Sequence, residues 1–226
     1  MVTGITIATP RPPAQLDQPC DADVSSLPVT PAGRRREAAD GLSVHLGIGK
    51  TSLIQKTSEV LKSSGISIDG FYTEEVRHGG RRIGFDVVTM TGKRGNLARI
   101  GADQTSGNWE CRVGRYIVDL ISFEHLILPL LNVIGTSEDP VHKSVFVIDE
   151  IGKMELFSHS FTDVVPKILD SPGTVVLGTI PVPKGKTLPL VEKIRRRHDV
   201  KVFHITRENR HDLLQEIVNF IKDCCK

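Results

Sequence analysis

Hydrophobic and polar positions follow a regular pattern in this chain only from about residue 50 onwards. Residues 50–63 carry apolar side chains at helical spacing, and Gly65 is predicted to end this helix. The apolar side of the predicted helix consists of Leu53, Ile54, Val60 and Leu61. The stretch 1–42 has no such periodicity; it contains six prolines and the basic run Arg34–Arg36. This composition predicts a disordered head at 1–42 and a folded domain at 43–226.

Downstream, short apolar runs alternate with longer amphipathic ones. The runs 145–148 and 174–179 are almost wholly apolar, which is typical of strands buried on both faces of a parallel sheet. Segments 71–77 and 82–89 flank a His-Gly-Gly-Arg turn and predict a β-hairpin. The other predicted elements are strands at 66–72 and 200–205, helices at 155–170, 188–197 and 208–222, a helix capped by Ser122 that carries Leu126, Leu130 and Ile134, and loops at 91–114, 135–143 and 181–186. The alternation indicates an α/β fold with a doubly wound, mainly parallel sheet, flanking helices and a β-hairpin.

Composition and charge narrow the classes of partner. The 226 residues carry a formal net charge of +2, which argues against a nucleic-acid partner. No apolar run reaches the length of a membrane span, and no secretory signal is visible. The four cysteines form no Cys-x-x-Cys pair, so a reduced compartment is expected. We therefore expect a monomer in the cytoplasm or nucleus, without membrane contact.

The sequence Gly47-Ile48-Gly49-Lys50-Thr51 opens the first predicted helix and is the strongest chemical motif in the chain. Glycines in such a turn let backbone N–H groups approach phosphate oxygens, and the helix N-terminus favours anions. The lysine would reach the β- and γ-phosphates, and the threonine hydroxyl would bind Mg²⁺. The full phosphate-loop pattern has glycine four residues before Ile48, where this chain has Val44. A β-branched residue there predicts weaker nucleotide binding if the loop requires positive φ.

An acid pair, Asp149-Glu150, follows the apolar run 145–148. The first carboxylate would hold Mg²⁺ and the second would polarise an attacking water. Together with the upstream motif, this pair predicts a nucleoside triphosphate site that uses Mg²⁺. The predicted catalytic residues are Lys50, Glu150 and Lys153; the predicted magnesium ligands are Thr51 and Asp149; and the predicted nucleotide-binding residues are Gly47, Ile48, Gly49, Lys50, Thr51, Ser52, Val147, Ile148, Asp149, Glu150, Ile151 and Gly152.

Several further cations could contact the γ-phosphate, and spacing does not choose among them. Lys153 follows the acid pair closely and could neutralise developing charge. Thr179 ends an apolar run and could either sense the γ-phosphate or act as a capping hydroxyl. The arginine candidates are Arg77, Arg81, Arg82, Arg112, Arg115 and Arg210.

From Gly47 to the C-terminus the chain resembles the cancer-related nucleoside-triphosphatase family, a small family of P-loop NTPases. The stretches that carry the resemblance are Gly47–Thr51, Asp69–Arg77, Gly80–Asp86, Cys111–Gly114, Val147–Leu156, Gly178–Lys186 and Thr206–Arg210. The resemblance implies a RecA-like fold and slow, magnesium-dependent hydrolysis of several nucleoside triphosphates to diphosphate and phosphate.

The chain departs from this family at its start. Members begin with an apolar strand that runs into Gly-Pro-Pro-Gly-x-Gly-Lys-Thr, whereas residues 35–43 here are charged and contain Gly41. We predict that this segment is a poor central strand, that the missing strand lay beside the strand of Asp149, and that its loss leaves backbone groups unpaired.

Three functions fit these features. The leading interpretation is a triphosphatase acting on ATP, GTP and other nucleoside triphosphates. A catalytically impaired nucleotide-binding protein is favoured by Val44 and the altered start. A nucleotide or small-molecule kinase shares the loop and topology and is compatible with the arginines of 77–115, but Glu150 argues against it because a base beside the magnesium carboxylate suits water.

Overall fold

The computed structural model describes residues 3–9, 49–101, 111–134, 144–182 and 187–226. The predicted loop at 135–143 lies wholly outside these residues, as do most of the predicted head and the segment 35–43, where the sequence departs from the family it resembles. The predicted domain boundary at residue 42 also lies outside them and stays a prediction.

The described residues form one nine-stranded sheet flanked by helices on both faces. The strands are β1 Thr3–Ala8, β2 Ser67–His78, β3 Arg81–Thr89, β4 Arg94–Ile100, β5 Arg112–Val113, β6 Tyr116–Val118, β7 Ser144–Ile148, β8 Thr174–Ile180 and β9 Val200–Ile205. The helices are α1 Lys50–Ser63, α2 Leu120–Ile134, α3 His159–Leu169, α4 Pro189–Arg195 and α5 Asp212–Cys224, with a 3₁₀ turn at Glu155–Phe157. None of the helices in this part of the chain has the length and apolar character needed to cross a bilayer.

The strand order across the sheet is β5-β6-β4-β3-β2-β7-β8-β1-β9. Two neighbouring pairs, β2–β7 and β7–β8, are parallel, and the other pairs are antiparallel. The α/β fold class is therefore confirmed, but the sheet is mixed rather than mainly parallel. Two features cause the difference: a meander of β2 to β6 extends one side of the sheet, and β1 enters the other side in reverse.

Strand β1 comes from the segment that was predicted to be disordered. It lies between β8 and β9 and pairs antiparallel with both, with Gly4 opposite Ile180 and with Ile5 opposite Phe203. Ile5 and Ile7 are fully buried. The prediction of disorder is thus wrong for residues 3–8, and the described strands β8 and β9 are not left with unpaired inner edges. The missing strand was predicted to lie beside the strand of Asp149, which is wrong, because β2 and β8 occupy both sides of β7.

The two faces of the sheet bury separate apolar clusters. On one face α1 and α5 cover β1, β7, β8 and β9, with Ile54 and Val147 at the centre. On the other face α2, α3 and α4 pack on the sheet, and Phe71, Phe123 and Phe161 meet edge to face. Burial of both faces explains why β7 and β8 are apolar along almost their whole length.

Helix α1 has the predicted bounds, and Gly65 ends it as predicted. Gly65 adopts φ +81° directly after the C-cap residue Ser64, a conformation that favours glycine. Within the predicted apolar side, Val60 is the exception: it is 37% exposed, while the other three are buried.

Two predicted features of the middle of the chain were wrong. Part of the predicted loop at 91–114 forms strands β4 and β5, and one side of β4 is buried through Leu97 and Ala98. Ser122 lies inside the first turn of α2 rather than at its cap. Asp119 performs the capping, since its Oδ1 accepts the Ser122 N–H at 3.0 Å.

Candidate active site

Two elements bring the predicted site residues together. Helix α1 begins at Lys50 after Gly49, whose φ of +91° is a conformation that glycine adopts readily. Strand β7 ends at Ile148 and delivers Asp149 and Glu150 to the same edge of the sheet. Residues separated by about 100 positions in sequence thereby face each other, as the motif predicted.

Direct contacts link the helix start to the acid pair. Lys50 Nζ donates to Glu150 Oε2 in an ion pair, and both side chains are partly exposed. Thr51 Oγ1 donates to Asp149 Oδ2 at 2.7 Å. Asp149 itself is 1% exposed, so its carboxylate lies at the floor of the site.

Thr179, at the end of β8, completes the surroundings of Asp149. Its hydroxyl donates to Asp149 Oδ1, and its carbonyl accepts the Ile151 N–H at 2.9 Å. Thr179 therefore orients the buried carboxylate and the loop that follows it. The sequence offered both a phosphate contact and a capping role for this residue, and the structure shows a hydroxyl bonded to Asp149.

The segment after the acid pair folds back on itself. Glu155 is buried, and its Oε2 accepts the Gly152 N–H at 3.1 Å. A methyl group built on Gly152 would lie 2.7 Å from Glu150 Oε1 and 3.0 Å from Glu155 Oε2. The glycine thus permits two carboxylates to approach its backbone closely. Sequence reasoning missed Glu155, because a glutamate is normally expected at the surface.

Burial and neighbouring charges shift the pKa values of three groups in the site. Burial raises the pKa of the Asp149 carboxyl, and the opposing effect of Lys50 does not cancel it. For Lys50, burial acts to lower the pKa, but the charges of Glu150, Asp149 and Glu155 and the hydrogen bond to Glu150 together raise it. Burial, followed by the Glu150 charge, raises the pKa of Glu155 to about 8. Three carboxyl groups, those of Asp149, Glu150 and Glu155, therefore act on the partly exposed ammonium group of Lys50, a balance that an added cation would improve.

The donor set fits a magnesium ion shared with a substrate. Thr51 and Asp149 supply a hydroxyl and a carboxylate oxygen side by side, and Mg²⁺ prefers oxygen ligands. In the described ranges no group of three or more His, Cys, Asp or Glu side chains is arranged to hold a metal. Mg²⁺ commonly uses only one or two protein carboxylates, and phosphate oxygens and water complete its coordination.

The remaining predicted residues are placed as follows. Val147, Ile148 and Ile151 are buried and support the acid pair from the core. Lys153 is exposed just beyond it, as is Ser52 in the first turn of α1. Gly47 and Ile48 lie outside the described residues.

The six candidate arginines lie in different parts of the structure, with Arg81 at the start of β3 and Arg112 at the start of β5. Arg77 and Arg82 pair with Glu75 in the β2–β3 hairpin, and Arg115 stacks on Tyr116. Because Phe71 pairs with Ile148, Arg77 lies six residues, or about 20 Å, further along β2. Arg210 instead lies against Gly49, where a methyl group built on the glycine would be 3.3 Å from Arg210 Nη1.

Comparison with known proteins agrees with this geometry. The family model described as NTPase matches residues 41–218 of the chain. The chain belongs to this NTPase family. It is 63% identical over 180 residues to the cancer-related nucleoside-triphosphatase homolog of Bos taurus, covering 80% of this chain and 94% of the bovine one.

Two solved structures resemble this NTPase family member. The solution structure of a human cancer-related nucleoside triphosphatase is 61% identical, with a TM-score of 0.70, covering 80% of this chain and 95% of the human one. The crystal structure of THEP1 from Aquifex aeolicus is 35% identical, with a TM-score of 0.64, covering 77% and 93% of the two chains. The predicted resemblance and the P-loop NTPase fold class are thereby confirmed.

The raised pKa of Glu155 predicts a pH-dependent stability. Its carboxyl has a pKa of about 8 when folded and an ordinary value near 4.5 when unfolded, so between these pH values the folded state binds more protons. The free energy of unfolding should therefore fall as the pH rises from 4.5 to 8, by up to about 1.4 kcal/mol per pH unit from this group. Glu155→Gln should remove this dependence. The free energy of unfolding of the variant should therefore rise relative to that of the wild type between pH 5 and pH 8.

Urea denaturation of the nucleotide-free protein at pH 5, 6.5 and 8 measures the effect. Glu59→Gln, which changes an exposed glutamate of α1, is the matched control and should track the wild type at every pH. A difference between Glu155→Gln and the wild type that is the same at pH 5 and pH 8 would contradict the prediction.

Proposed function

We propose that this chain hydrolyses nucleoside triphosphates to diphosphate and phosphate with the help of Mg²⁺. The observation that carries the proposal is the pairing of Lys50 with Glu150 and of Thr51 with Asp149 at the N-terminus of α1. A helix start suited to phosphate, an oxygen pair of the kind that Mg²⁺ binds and a potential base would thus share one edge of the sheet. The relatives are named nucleoside-triphosphatases, which supports the same reaction.

Each protein group of the site would have a role that follows from its position. Backbone N–H groups at Gly49 and Lys50 would bind phosphate oxygens, aided by the helix dipole. Thr51 and Asp149 would hold the magnesium ion, which when bound neutralises charge on the phosphate chain. Lys50 would exchange Glu150 for a phosphate oxygen as the nucleotide enters, since both are anions competing for one ammonium group. That exchange frees Glu150 to accept a proton from the attacking water.

Two assignments extend this proposal without a contact in the structure. Lys153, exposed beside the acid pair, would approach the γ-phosphate from solvent. ATP, GTP and other triphosphates would all be accepted, because the proposed contacts involve the phosphates rather than the base. Action as a monomer, without nucleic acid and in the cytoplasm or nucleus, stays a prediction from the sequence.

A second candidate function is nucleotide binding with impaired hydrolysis. The observation that favours it is the direction of β1, which runs antiparallel to β8 and β9. The C-terminal end of β1 therefore lies at the opposite edge from the acid pair, where the Thr9 N–H donates to the Asp199 carbonyl at 2.9 Å. Among the described residues no strand leads directly into Gly49, and β1 does not deliver its C-terminal end to the start of α1.

Phosphate release from ATP and GTP by the full chain, with no acceptor added, separates these functions. We expect release in Mg²⁺, none in EDTA, and at least a hundredfold loss for Lys50→Ala. Lys62→Ala, an exposed lysine in the last turn of the same helix, should retain the wild-type rate. Folded protein that binds nucleotide without releasing phosphate would overturn hydrolysis and support the impaired form, and folded protein that binds no nucleotide would overturn both.

A further inference from the structure

Arg210 has a defined position against the start of α1 that the proposed reaction does not yet use. A methyl group built on Gly49 would lie 3.3 Å from Arg210 Nη1 and 3.7 Å from Arg210 Cδ. The guanidinium group therefore lies next to the glycine that precedes Lys50, at the edge of the space that a side chain there would occupy. An arginine placed there presents five N–H donors beside a phosphate-binding backbone.

The loop between β9 and α5 holds Arg210 in this place. Asn209 Oδ1 accepts the Thr206 N–H at 2.8 Å, and Asn209 Nδ2 donates to the His204 carbonyl at 2.9 Å. The Asn209 carbonyl in turn accepts the Leu213 N–H at 3.0 Å, which ties the loop to the first turn of α5. The residue immediately before Arg210 is thus anchored at both ends of the loop.

Arg210 is also uncommitted within the described part of the chain. It is exposed and forms no hydrogen bond or ion pair with another described residue. By contrast, Arg82 pairs with Glu75, and Arg94 pairs with Glu74 and Asp86. Its donors are therefore available to a ligand.

The sheet order shows which part of a nucleotide Arg210 would meet. The acid pair lies at the end of β7, whereas Arg210 follows β9, three strand positions away. At about 4.8 Å per strand, β7 and β9 lie about 14 Å apart across the sheet, so the residues that follow them reach the start of α1 from different sides. Lys50 and Glu150 mark the side of the γ-phosphate, where water attacks. Arg210 consequently faces the side of the α- and β-phosphates, which remain in the diphosphate product.

We propose that Arg210 is a nucleotide-binding residue that holds the α- and β-phosphates of substrate and product alike. This proposal rests on the proposed function, because the orientation follows from the role of the acid pair. Contacts to the uncleaved part of a substrate strengthen ground state and transition state equally, so they change KM without changing kcat. An arginine acting on the γ-phosphate would instead change kcat and leave diphosphate affinity intact.

Calorimetric titration of the full chain with ADP and with ATP in Mg²⁺ tests the proposal, together with phosphate-release kinetics. Arg210→Ala should weaken binding of both nucleotides by about 10- to 100-fold, the range for one charge-assisted contact, and should raise KM to match while kcat stays within about twofold. Arg210→Lys should recover part of the lost affinity because it keeps the charge. Arg207→Ala, an exposed arginine of the same loop, should behave like the wild type.

Unchanged ADP affinity in Arg210→Ala would overturn the inference, whether or not kcat falls. This outcome is distinct from failure of the proposed function. A wild type that binds both nucleotides but releases no phosphate would refute hydrolysis while the affinities still decide the role of Arg210. Wild-type protein that binds neither nucleotide would overturn both.

Discussion

Glu150→Gln should reduce turnover of ATP by about 10² to 10⁴, the usual contribution of a general base, while nucleotide binding survives. The amide keeps the size of the side chain but cannot accept a proton from water. It also cannot form an ion pair, so Lys50 is no longer held by this residue before the nucleotide arrives. We therefore expect the affinity for ATP to be equal to or higher than that of the wild type. Multiple-turnover phosphate release and ATP titration measure the two quantities on the same protein.

The control for this experiment is Glu216→Gln, which alters an exposed glutamate of α5 paired only at the surface with Lys201. Its kcat should equal that of the wild type. If Glu150→Gln turns over ATP at the wild-type rate, Glu150 is not the base, and the alignment of β7 with α1 would have to serve another purpose.

Ile7→Ala should lower the free energy of unfolding by about 2–5 kcal/mol, a large part of the stability of a domain of this size. Ile7 is fully buried in β1, between two strands and beneath helices α1 and α5. Truncation removes apolar contact and leaves a cavity in a site that cannot easily collapse. Urea denaturation gives the change in stability, and amide hydrogen exchange of residues 4–8 should show protection typical of a central strand.

Val60→Ala provides the comparison, because this valine of α1 is 37% exposed and its truncation should have a much smaller effect. Equal, small effects of the two substitutions, with rapid exchange of residues 4–8, would mean that the N-terminal segment does not form the strand.

The sequence predicted those elements whose signal is local. Strands β7 and β8 were recognisable because nearly every position is apolar, and the β2–β3 hairpin because two glycines occupy its turn. Strand β1 was missed because Thr-Gly-Ile-Thr-Ile-Ala is a short segment followed closely by prolines, and its partners lie about 170 residues or more away. Strand β4 was missed because Arg94, Gly95 and Asn96 suggest a loop, whereas pairing with β3 stabilises them as sheet and β6 pairs with the end of the same strand.

In the candidate site, too, residues with a local sequence signal were predicted and residues that depend on long-range contacts were not. Lys50, Thr51, Asp149 and Glu150 were predicted because their chemistry requires fixed spacing after a strand or before a helix. Thr179 and Glu155 depend on tertiary contacts that spacing does not encode. Arg210 was one of six candidates, and only the packing of the β9–α5 loop against Gly49 distinguishes it.

The reversed direction of β1 has a practical consequence for handling the protein. Thr3 and Gly4 lie opposite Ile205 and Ile180, at the same edge of the sheet as the end of β7. An affinity tag fused ahead of Thr3 would therefore emerge beside the acid pair and obstruct the approach of ligands. A tag placed after α5 keeps that entrance clear and is the better choice for immobilising the protein in binding assays.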